Sequence, residues 1–338
     1  MREKNKYVKI SQGFRFLYTA LTVILALLLL YAVYLILRQE EPHVITQTQL
    51  DSMDTVQIEI EVTTEPFATY VEYPDGLESA KSFDSTIASK YCVLVDTESN
   101  TVIAQRDAEK KMYPASMTKI MTLIVAVENM TSLDDTFTMT HDILAPLYDA
   151  DASMAGFQEH EVITVKDMLY GAILPSGADA TNGLARKIAG NEENFVRLMN
   201  EKATELGLHN THFTNTSGLH NNNHYSTALD MAVILNYALK NELCREILST
   251  YQYTTSKTKE HPEGILLEST MFSRMYGDEV EGVQIKGGKT GFTSEAQHTM
   301  ASFAEKNGKE YILVTAYEDD KWGSVYDAFD IYENYLEQ

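Results

Sequence analysis

Ser116 and Lys119 are the first residues of this sequence whose types and spacing suit a chemical step. Positions i and i+3 lie on one face of a helix, so the Ser116 hydroxyl and the Lys119 amine can meet one turn apart. Pro114 precedes them, as is typical of a helix start, and the apolar run 120–127 predicts a buried helix. The N–H groups at such a start favour developing negative charge. A hydroxyl beside an amine that acts as base is the minimal activated nucleophile.

The Ser-x-x-Lys spacing has little specificity by itself. A second copy, from Ser256 to Lys259, stands in a polar segment without a helix pattern. An ordinary serine at a helix start, followed by a solvated lysine, is the alternative interpretation of the first copy. Two later motifs favour the chemical interpretation, a Ser-Gly loop at Ser176 and a Lys-Thr-Gly at 289–291. The latter is expected by chance well under once per chain.

A Ser-x-x-Lys helix start, a Ser-Gly loop and a Lys-Thr-Gly, in this order, resemble the three-part pattern of penicillin-binding proteins and serine β-lactamases. The longer stretches of sequence around these motifs are similar to those of the low-molecular-weight D-alanyl-D-alanine carboxypeptidases, serine peptidase family S11. The resemblance covers about residues 88–338 and rests on four stretches: PASMTKIMT at 114–122, LPSGADA at 174–180, SGLHNNNHYSTALDMA at 217–232 and GGKTGFTSEA at 287–296.

The resemblance implies a mixed α/β (α+β) fold of the β-lactamase/transpeptidase-like type. In that fold an antiparallel sheet, built from both ends of the domain, is flanked by helices and stands beside an all-helical subdomain, with the active site between them. The implied activity is that of a serine-type carboxypeptidase. Such an enzyme removes the terminal D-alanine of peptidoglycan stem peptides through an acyl-enzyme, and β-lactam antibiotics inhibit it. No cofactor and no metal are expected.

The resemblance also implies a role for each motif residue. The expected catalytic residues are the nucleophile Ser116, its base Lys119, and Ser176, which relays a proton to the leaving amine. Lysine acts as base near neutral pH only where burial or a second cation disfavours its charged form, and Lys289 is the expected second cation. The expected substrate-binding residues are Lys289 and Thr290 for the substrate's carboxylate, Gly291 for close approach of the strand, and Phe292, whose backbone N–H completes the oxyanion hole with that of Ser116.

One departure from the family pattern is Ala178, at a position where the second motif normally has asparagine. The loss of a buried amide is expected to cost about 1–3 kcal/mol, roughly ten- to a hundredfold in rate or affinity. Asn182, one turn later, is a candidate substitute, and an ordinary helix-surface asparagine is the alternative. A catalytically weak penicillin-binding, peptidoglycan-binding or sensor protein is therefore an alternative function. A β-lactamase is a further alternative, and it needs a general base positioned beside the serine. Glu192 and Glu193 are present, but neither stands in a convincing motif.

The chain divides into four expected segments. Residues 1–15 form a basic cytoplasmic tail, and residues 16–37 form an apolar run of roughly 33 Å as a helix, long enough for an uncleaved single-pass anchor in the cell membrane. A cleaved signal peptide is the alternative, but the run does not end in a small-x-small site. Residues 38–85 are acidic and predict an extended extracytoplasmic stalk. Residues 86–338 form the extracytoplasmic catalytic domain, without the C-terminal β-rich domain of many relatives.

Composition excludes several other functions. The net charge of −22 argues against nucleic-acid binding through a basic patch. The two cysteines, Cys92 and Cys244, are expected to be free and buried, because Cys92 stands in an apolar strand pattern. His220 and His224 have the i,i+4 spacing of some zinc sites, but the three asparagines between them predict a loop. A zinc carboxypeptidase is therefore disfavoured.

Periodicity and turn residues place strands at both ends of the domain and a helical block between them. The predicted strands are 88–96, 100–106, 282–289, 296–305 and 310–318. The predicted helices are 120–127, 164–174, 180–189, 193–207, 227–240, 243–248 and 327–336.

Overall fold

The structure is a computed structural model that describes residues 71–275 and 280–336. The expected basic tail, the apolar run 16–37 and the stalk up to residue 70 lie outside these residues. Within them, none of the helices has the length and apolar character needed to cross a membrane.

The strands are β1 Lys81–Ser82, β2 Tyr91–Asp96, β3 Thr101–Arg106, β4 Thr136–Thr138, β5 Val162–Thr164, β6 Gln252–Thr254, β7 Leu266–Glu268, β8 Val283–Thr293, β9 Gln297–Lys306 and β10 Lys309–Glu318. The helices are α1 Thr118–Asn129, α2 His141–Asp149, α3 Val165–Ile173, α4 Ala178–Ala189, α5 Glu192–Glu205, α6 Ala228–Leu239, α7 Glu242–Ser249, α8 Phe272–Met275 and α9 Gly323–Asn334.

The largest sheet of the described residues has six strands in the order β1-β3-β2-β10-β9-β8. Strands from both ends of the domain therefore belong to one sheet, as predicted, with β2 and β10 adjacent at its centre. Its neighbours are antiparallel except β1, which pairs with β3 in parallel over two residues. Two short hairpins, β4–β5 and β6–β7, form separate two-stranded sheets. The strand with the Lys-Thr-Gly motif, β8, is the outermost strand, so one of its edges is not covered by another strand of this sheet.

Apolar side chains pack on both faces of the large sheet. One face packs against the helical block, in which every residue of α1 from Thr118 to Ala126 is buried. A helix that is apolar all round belongs inside a core. The other face packs against α9, through Leu94, Leu313 and Tyr332 among others. The result is the mixed α/β fold, with a sheet flanked by helices, that the resemblance implied.

Side-chain caps explain where several helices begin. Thr164, Asn191, Thr227 and Asn241 each accept a hydrogen bond from the backbone N–H three residues later, at the starts of α3, α5, α6 and α7. Such caps satisfy N–H groups that have no partner inside the helix. Because capping is local, the predicted starts of these helices lie within one residue of the observed ones.

Residues 71–85 correct the expected boundary between stalk and domain. Val71 is buried in the larger core and Phe83 in the core beneath α9. Asp75 exchanges backbone hydrogen bonds with β3, accepting from Val102 N and donating to Asn100 O. The globular part thus begins at residue 71 or earlier and not at residue 86. Val71 and Phe83 are single buried apolar residues in a polar, acidic stretch, so the sequence around them shows no periodic apolar pattern.

Candidate active site

The turn before α1 presents Ser116 to the cleft. Residues Ala115–Met117 form a single 3₁₀ turn, and α1 continues from Thr118. Ala115 adopts a left-handed conformation with φ of 47°, which is uncommon for a residue with a side chain and is found at sites that the surrounding structure holds in place. Lys119 follows one turn later, and its Nζ lies 3.0 Å from Ser116 Oγ. The predicted contact between the two side chains is therefore formed.

Burial sets the protonation of Lys119. The side chain is 2% exposed, and Nζ donates a hydrogen bond to the backbone oxygen of Ser217 at 2.6 Å. Burial lowers the pKa of Lys119 to about 7, and the negative charge of Asp179 opposes this change. A substantial fraction of the amine is therefore neutral at neutral pH. A neutral amine in contact with a hydroxyl can take its proton.

Lys289 lies on β8 and is also buried, at 1% exposure. Burial lowers its pKa well below the usual value, and the positive charges of Lys119 and Arg274 lower it further. Its Nζ donates to the backbone oxygen of Thr290 at 2.8 Å. The charge of Lys119 thus acts on Lys289, whereas the lowered pKa of Lys119 is caused by its own burial. The role of Lys289 as a second cation that lowers the pKa of Lys119 stays a prediction.

The Lys-Thr-Gly strand contacts the Ser116 turn at Gly291. A Cβ at this position would lie 2.8 Å from Ser116 N and 3.1 Å from the Ala115 side chain. Only glycine allows β8 to approach this closely. Phe292 follows directly, and its ring is 52% exposed. The backbone at Phe292 and the backbone N–H of Ser116 therefore lie at the same end of the cleft.

Ser176 occupies a strained turn before α4. Its φ is 68°, its side chain is buried, and Oγ has no hydrogen-bond partner in the described part of the chain. A left-handed non-glycine residue costs on the order of 1–3 kcal/mol, and such strain concentrates at functional sites. A buried hydroxyl without a partner is also exceptional. Both features fit a hydroxyl that bonds a substrate.

Ala178 begins α4 and is 1% exposed. Asn182, the candidate substitute for the missing motif asparagine, donates its amide to the backbone oxygen of Ala178 at 3.2 Å. This is a bond within its own helix and gives no contact with Lys119. In this structure the Lys119 amine instead bonds the Ser217 backbone oxygen.

The segment 214–224, which contains Ser217, packs closely against the Ser116 turn. Gly218 has a φ of 83°, and a Cβ there would lie 1.8 Å from the Ala115 backbone oxygen. His224 closes the same segment. Its Nδ1 accepts from Thr214 N and its Nε2 lies 2.8 Å from Thr118 Oγ1, so Nε2 bears the proton and donates. Burial lowers the pKa of His224 to about 3, which keeps the ring neutral.

The two histidines of the disfavoured zinc pattern face different partners. The buried His224 ring bonds Thr118 and the Thr214 backbone. His220 packs edge-on against the Tyr113 ring and faces Glu295 at 3.9 Å. Their nitrogens therefore do not converge on one point as zinc ligands would.

Asp179 is a site residue that the sequence analysis did not identify. Its buried carboxylate accepts hydrogen bonds from the backbone N–H groups of Ala155, Gly156 and Phe157. It thereby holds the segment 153–157 against the Ser176 turn, where Ser153 O accepts from Ala178 N. The only sequence signal is its place inside LPSGADA, which does not indicate the segment that it binds.

Comparisons with known proteins agree with this geometry. The family model of peptidase family S11, D-alanyl-D-alanine carboxypeptidase, matches residues 78–319. The chain is 36% identical over 231 residues to the D-alanyl-D-alanine carboxypeptidase DacF of Bacillus subtilis, a match covering 67% of this chain and 56% of DacF. It is 30% identical over 234 residues to the D-alanyl-D-alanine carboxypeptidase of Streptomyces sp. strain K15, covering 67% of this chain and 80% of that protein. The crystal structure of the Streptomyces K15 DD-transpeptidase superposes with a TM-score of 0.67 at 29% identity, covering 74% of this chain and 97% of that chain.

The fold is that of the DD-peptidase structures, with a buried lysine beside a serine at the start of the central helix. The chain belongs to serine peptidase family S11. Its match spans little more than half the length of DacF.

Proposed function

We propose that this protein is a membrane-anchored, serine-type D-alanyl-D-alanine carboxypeptidase. It removes the terminal D-alanine of peptidoglycan stem peptides through an acyl-enzyme, and β-lactam antibiotics acylate the same serine. The main support is the buried Lys119 amine 3.0 Å from Ser116 Oγ. The activity named for the relatives DacF and the Streptomyces K15 protein supports the choice of substrate.

Acylation begins when neutral Lys119 takes the proton of Ser116. Oγ then bonds to the carbonyl carbon between the two D-alanines, and the carbonyl oxygen becomes an oxyanion. The backbone N–H groups of Ser116 and Phe292 stabilise this charge. When the C–N bond breaks, the leaving amine receives a proton through Ser176, whose hydroxyl has no partner among the described residues. Water then hydrolyses the ester and restores Ser116.

Substrate binding is assigned to the Lys-Thr-Gly strand. Thr290 Oγ1 donates to the carboxylate of the terminal D-alanine, and Lys289 supplies positive charge behind it. Gly291 allows the substrate backbone to lie along the outer edge of β8. These roles follow the family pattern and agree with the burial of Lys289 and the close approach at Gly291.

The second candidate function is a penicillin-binding or peptidoglycan-sensing protein with weak turnover. The observation that favours it is Ala178, which offers no amide to Lys119 or to substrate. A β-lactamase is disfavoured, because Glu192 already accepts from Thr216 N and Thr216 Oγ1 and Glu193 is exposed. Neither acid is available as a base beside Ser116.

The experiment uses the full chain in detergent with a labelled penicillin and with diacyl-Lys-D-Ala-D-Ala, alongside Ser116→Ala. Labelling and D-alanine release that are both lost in the variant support the carboxypeptidase. Labelling without release supports the sensor instead. An unlabelled protein contradicts both functions.

The proposed location is the outer side of the cell membrane, with the run 16–37 as the anchor. Fractionation tests this directly. The full chain should remain in the membrane fraction after washing with salt, and protease added from outside should reach the domain. Recovery of the full chain in the soluble fraction would contradict the anchor.

A further inference from the structure

A carboxylate without a close partner lies at the end of the cleft where β8 turns into β9. Glu295 stands in this turn, four residues after Gly291, which approaches the Ser116 turn closely. Its side chain is 45% exposed, and its one ion-pair partner among the described residues is His220, at 3.9 Å. That distance is too long for a hydrogen bond. The oxygens of Glu295 are therefore available to a ligand.

Tyr113 and His220 bring two rings to this carboxylate. The Tyr113 ring meets the His220 ring edge-on, with centroids 4.6 Å apart and an interplanar angle of 87°. Thr299 Oγ1 on β9 donates to the backbone oxygen of Pro114 at 3.3 Å, which holds Tyr113 beside the start of β9. Tyr113 precedes Ser116 by three residues, so these rings border the catalytic serine.

A bulge in β10 directs a third ring to the same place. The β9–β10 register shifts within 315–318, and Tyr317 in this bulge has a left-handed φ of 66°. Bulges re-aim side chains and are frequent next to active sites. Burial raises the pKa of Tyr317. The neighbouring Tyr91, Tyr113 and Glu295 raise that pKa further, which places them close to this phenol.

The chemistry of these side chains, which we call the Glu295 cluster (Glu295, Tyr113, His220 and Tyr317), suits a cation. A carboxylate attracts an ammonium group, and so do the faces of tyrosine rings. Lys90 Nζ lies 5.1 Å from the centroid of the Tyr317 ring, but it forms no ion pair with Glu295 among the described residues. An ammonium group is therefore the ligand that completes the cluster.

The proposed binding mode determines which part of the substrate reaches the Glu295 cluster. The terminal carboxylate is assigned to Thr290, and the carbonyl between the two D-alanines is assigned to the N–H of Phe292. The substrate therefore runs along β8 towards the turn that contains Glu295. Because one extended residue spans about 3.3 Å, the residue before the two D-alanines lies beside the end of β8.

We propose that Glu295, with the ring faces of Tyr113 and Tyr317, binds the side-chain ammonium group of the residue that precedes the two D-alanines. The protein then prefers stem peptides in which this residue is a diamino acid with a free side-chain amine. That the ligand is a substrate residue rests on the proposed function, whereas the affinity of the cluster for a cation rests on its own side chains.

Two modest interactions determine the expected preference. Glu295 is partly exposed, so an ion pair with it should strengthen binding about 2- to 5-fold. A cation over a tyrosine ring at an exposed site should add about 2- to 5-fold. A peptide with the free amine is therefore expected to bind about 4- to 25-fold more tightly than one in which acetylation removes the charge.

Calorimetry on the full chain in detergent, with Ser116→Ala, measures this preference without turnover. The two ligands are Nα-acetyl-Lys-D-Ala-D-Ala, which has a free ε-amine, and the corresponding diacetyl peptide. The measured quantity is the ratio of their dissociation constants. Glu295→Gln should reduce the preference for the free amine about 2- to 5-fold, and Tyr113→Leu should reduce it by a similar factor.

Glu305→Gln is the matched control for the loss of one negative charge. Glu305 stands on the same hairpin and is 47% exposed, but it lies at the opposite end of β9 and pairs with Lys286 at 3.4 Å. Its replacement should leave the ratio within about 1.5-fold, because salt screens exposed charges that are far apart.

The outcomes separate the subsite from the proposed function. A parent protein without a preference for the free amine, or an unchanged ratio in Glu295→Gln, overturns the subsite. Equal weakening of both peptides also overturns it, because that pattern indicates a structural role, and so does an equal change in Glu305→Gln, which indicates net charge alone. D-alanine release by the chain with Ser116 tests the function separately, so a preference for the free amine without release would uphold the subsite and contradict the carboxypeptidase.

Discussion

Acidification is predicted to slow acylation of Ser116 in proportion to the loss of neutral Lys119. Burial lowers the pKa of this amine to about 7, and only the neutral form takes the serine proton. About 90% of the amine is neutral at about pH 8 and about 1% at about pH 5. The rate should therefore fall roughly 100-fold between these values and level off above about pH 8.

The surroundings of Lys119 determine the size of this effect. With the ordinary lysine pKa of 10.5, roughly 0.03% of the amine would be neutral at about pH 7. Burial therefore raises the competent fraction by about three orders of magnitude. The charge of Asp179 raises the pKa of Lys119, and the charge of Lys119 in turn lowers the pKa of Lys289 and of His224.

The assay is the second-order rate constant for covalent labelling by a fluorescent penicillin, measured on the full chain from about pH 5 to about pH 9. Ser116→Ala gives the background, and thermal unfolding at each pH verifies that the protein remains folded. A midpoint near 10, or a rate that is constant over this range, would refute the assignment of Lys119 as the base.

Three further predictions test the packing around this pair. Asp179→Asn removes the charge that raises the pKa of Lys119, so the pH at which the labelling rate falls by half should move to a lower value. Asp167→Asn changes an equally buried carboxylate and should leave that pH unchanged. Identical pH profiles for the two variants would contradict the electrostatic role of Asp179. Lys119→Met should stabilise the fold by about 4 kcal/mol near pH 7, because the unfolded chain binds a proton that the buried amine holds only half the time. This stabilisation should disappear as the pH rises from about 7 to about 10.5. Denaturant unfolding at two pH values measures the difference, and a difference that does not change with pH would count against the prediction. Gly218→Ala should lose penicillin labelling and about 1–3 kcal/mol of stability, since its Cβ would overlap the Ala115 backbone oxygen; a variant with normal labelling would show that the turn can move.

Much of the secondary structure was predictable because its signals are local. The expected helix 227–240 is α6, Ala228–Leu239, and the expected strand 310–318 is β10, Lys309–Glu318. Helix caps and turn residues act within a few positions of the chain. The helix α2 and the hairpins β4–β5 and β6–β7 were missed. Their three-residue strands are too short to show a period and are stabilised by packing on the helical block.

The site was predictable to the extent that its residues stand in motifs. Cys92 and Cys244 are free and buried as expected, and the Ser116–Lys119 contact is formed as the i,i+3 spacing predicted. The boundary at residue 86 was wrong, because Val71 and Phe83 are single apolar residues whose burial depends on distant partners. Asp179 was not identified for the same reason, because its role depends on a segment that does not adjoin it in sequence.

The sequence by itself determined which chemical groups are present and in what order, and it determined the helix that brings the Ser116 hydroxyl to an amine. Only the tertiary structure decided that this amine is a base. Its lowered pKa is caused by desolvation, which outweighs the opposing charge of Asp179 on another helix, and its hydrogen bond to Ser217 joins residues 98 positions apart. Spacing along the chain specifies neighbours on one helix, whereas burial and electrostatic environment depend on everything that packs around a group.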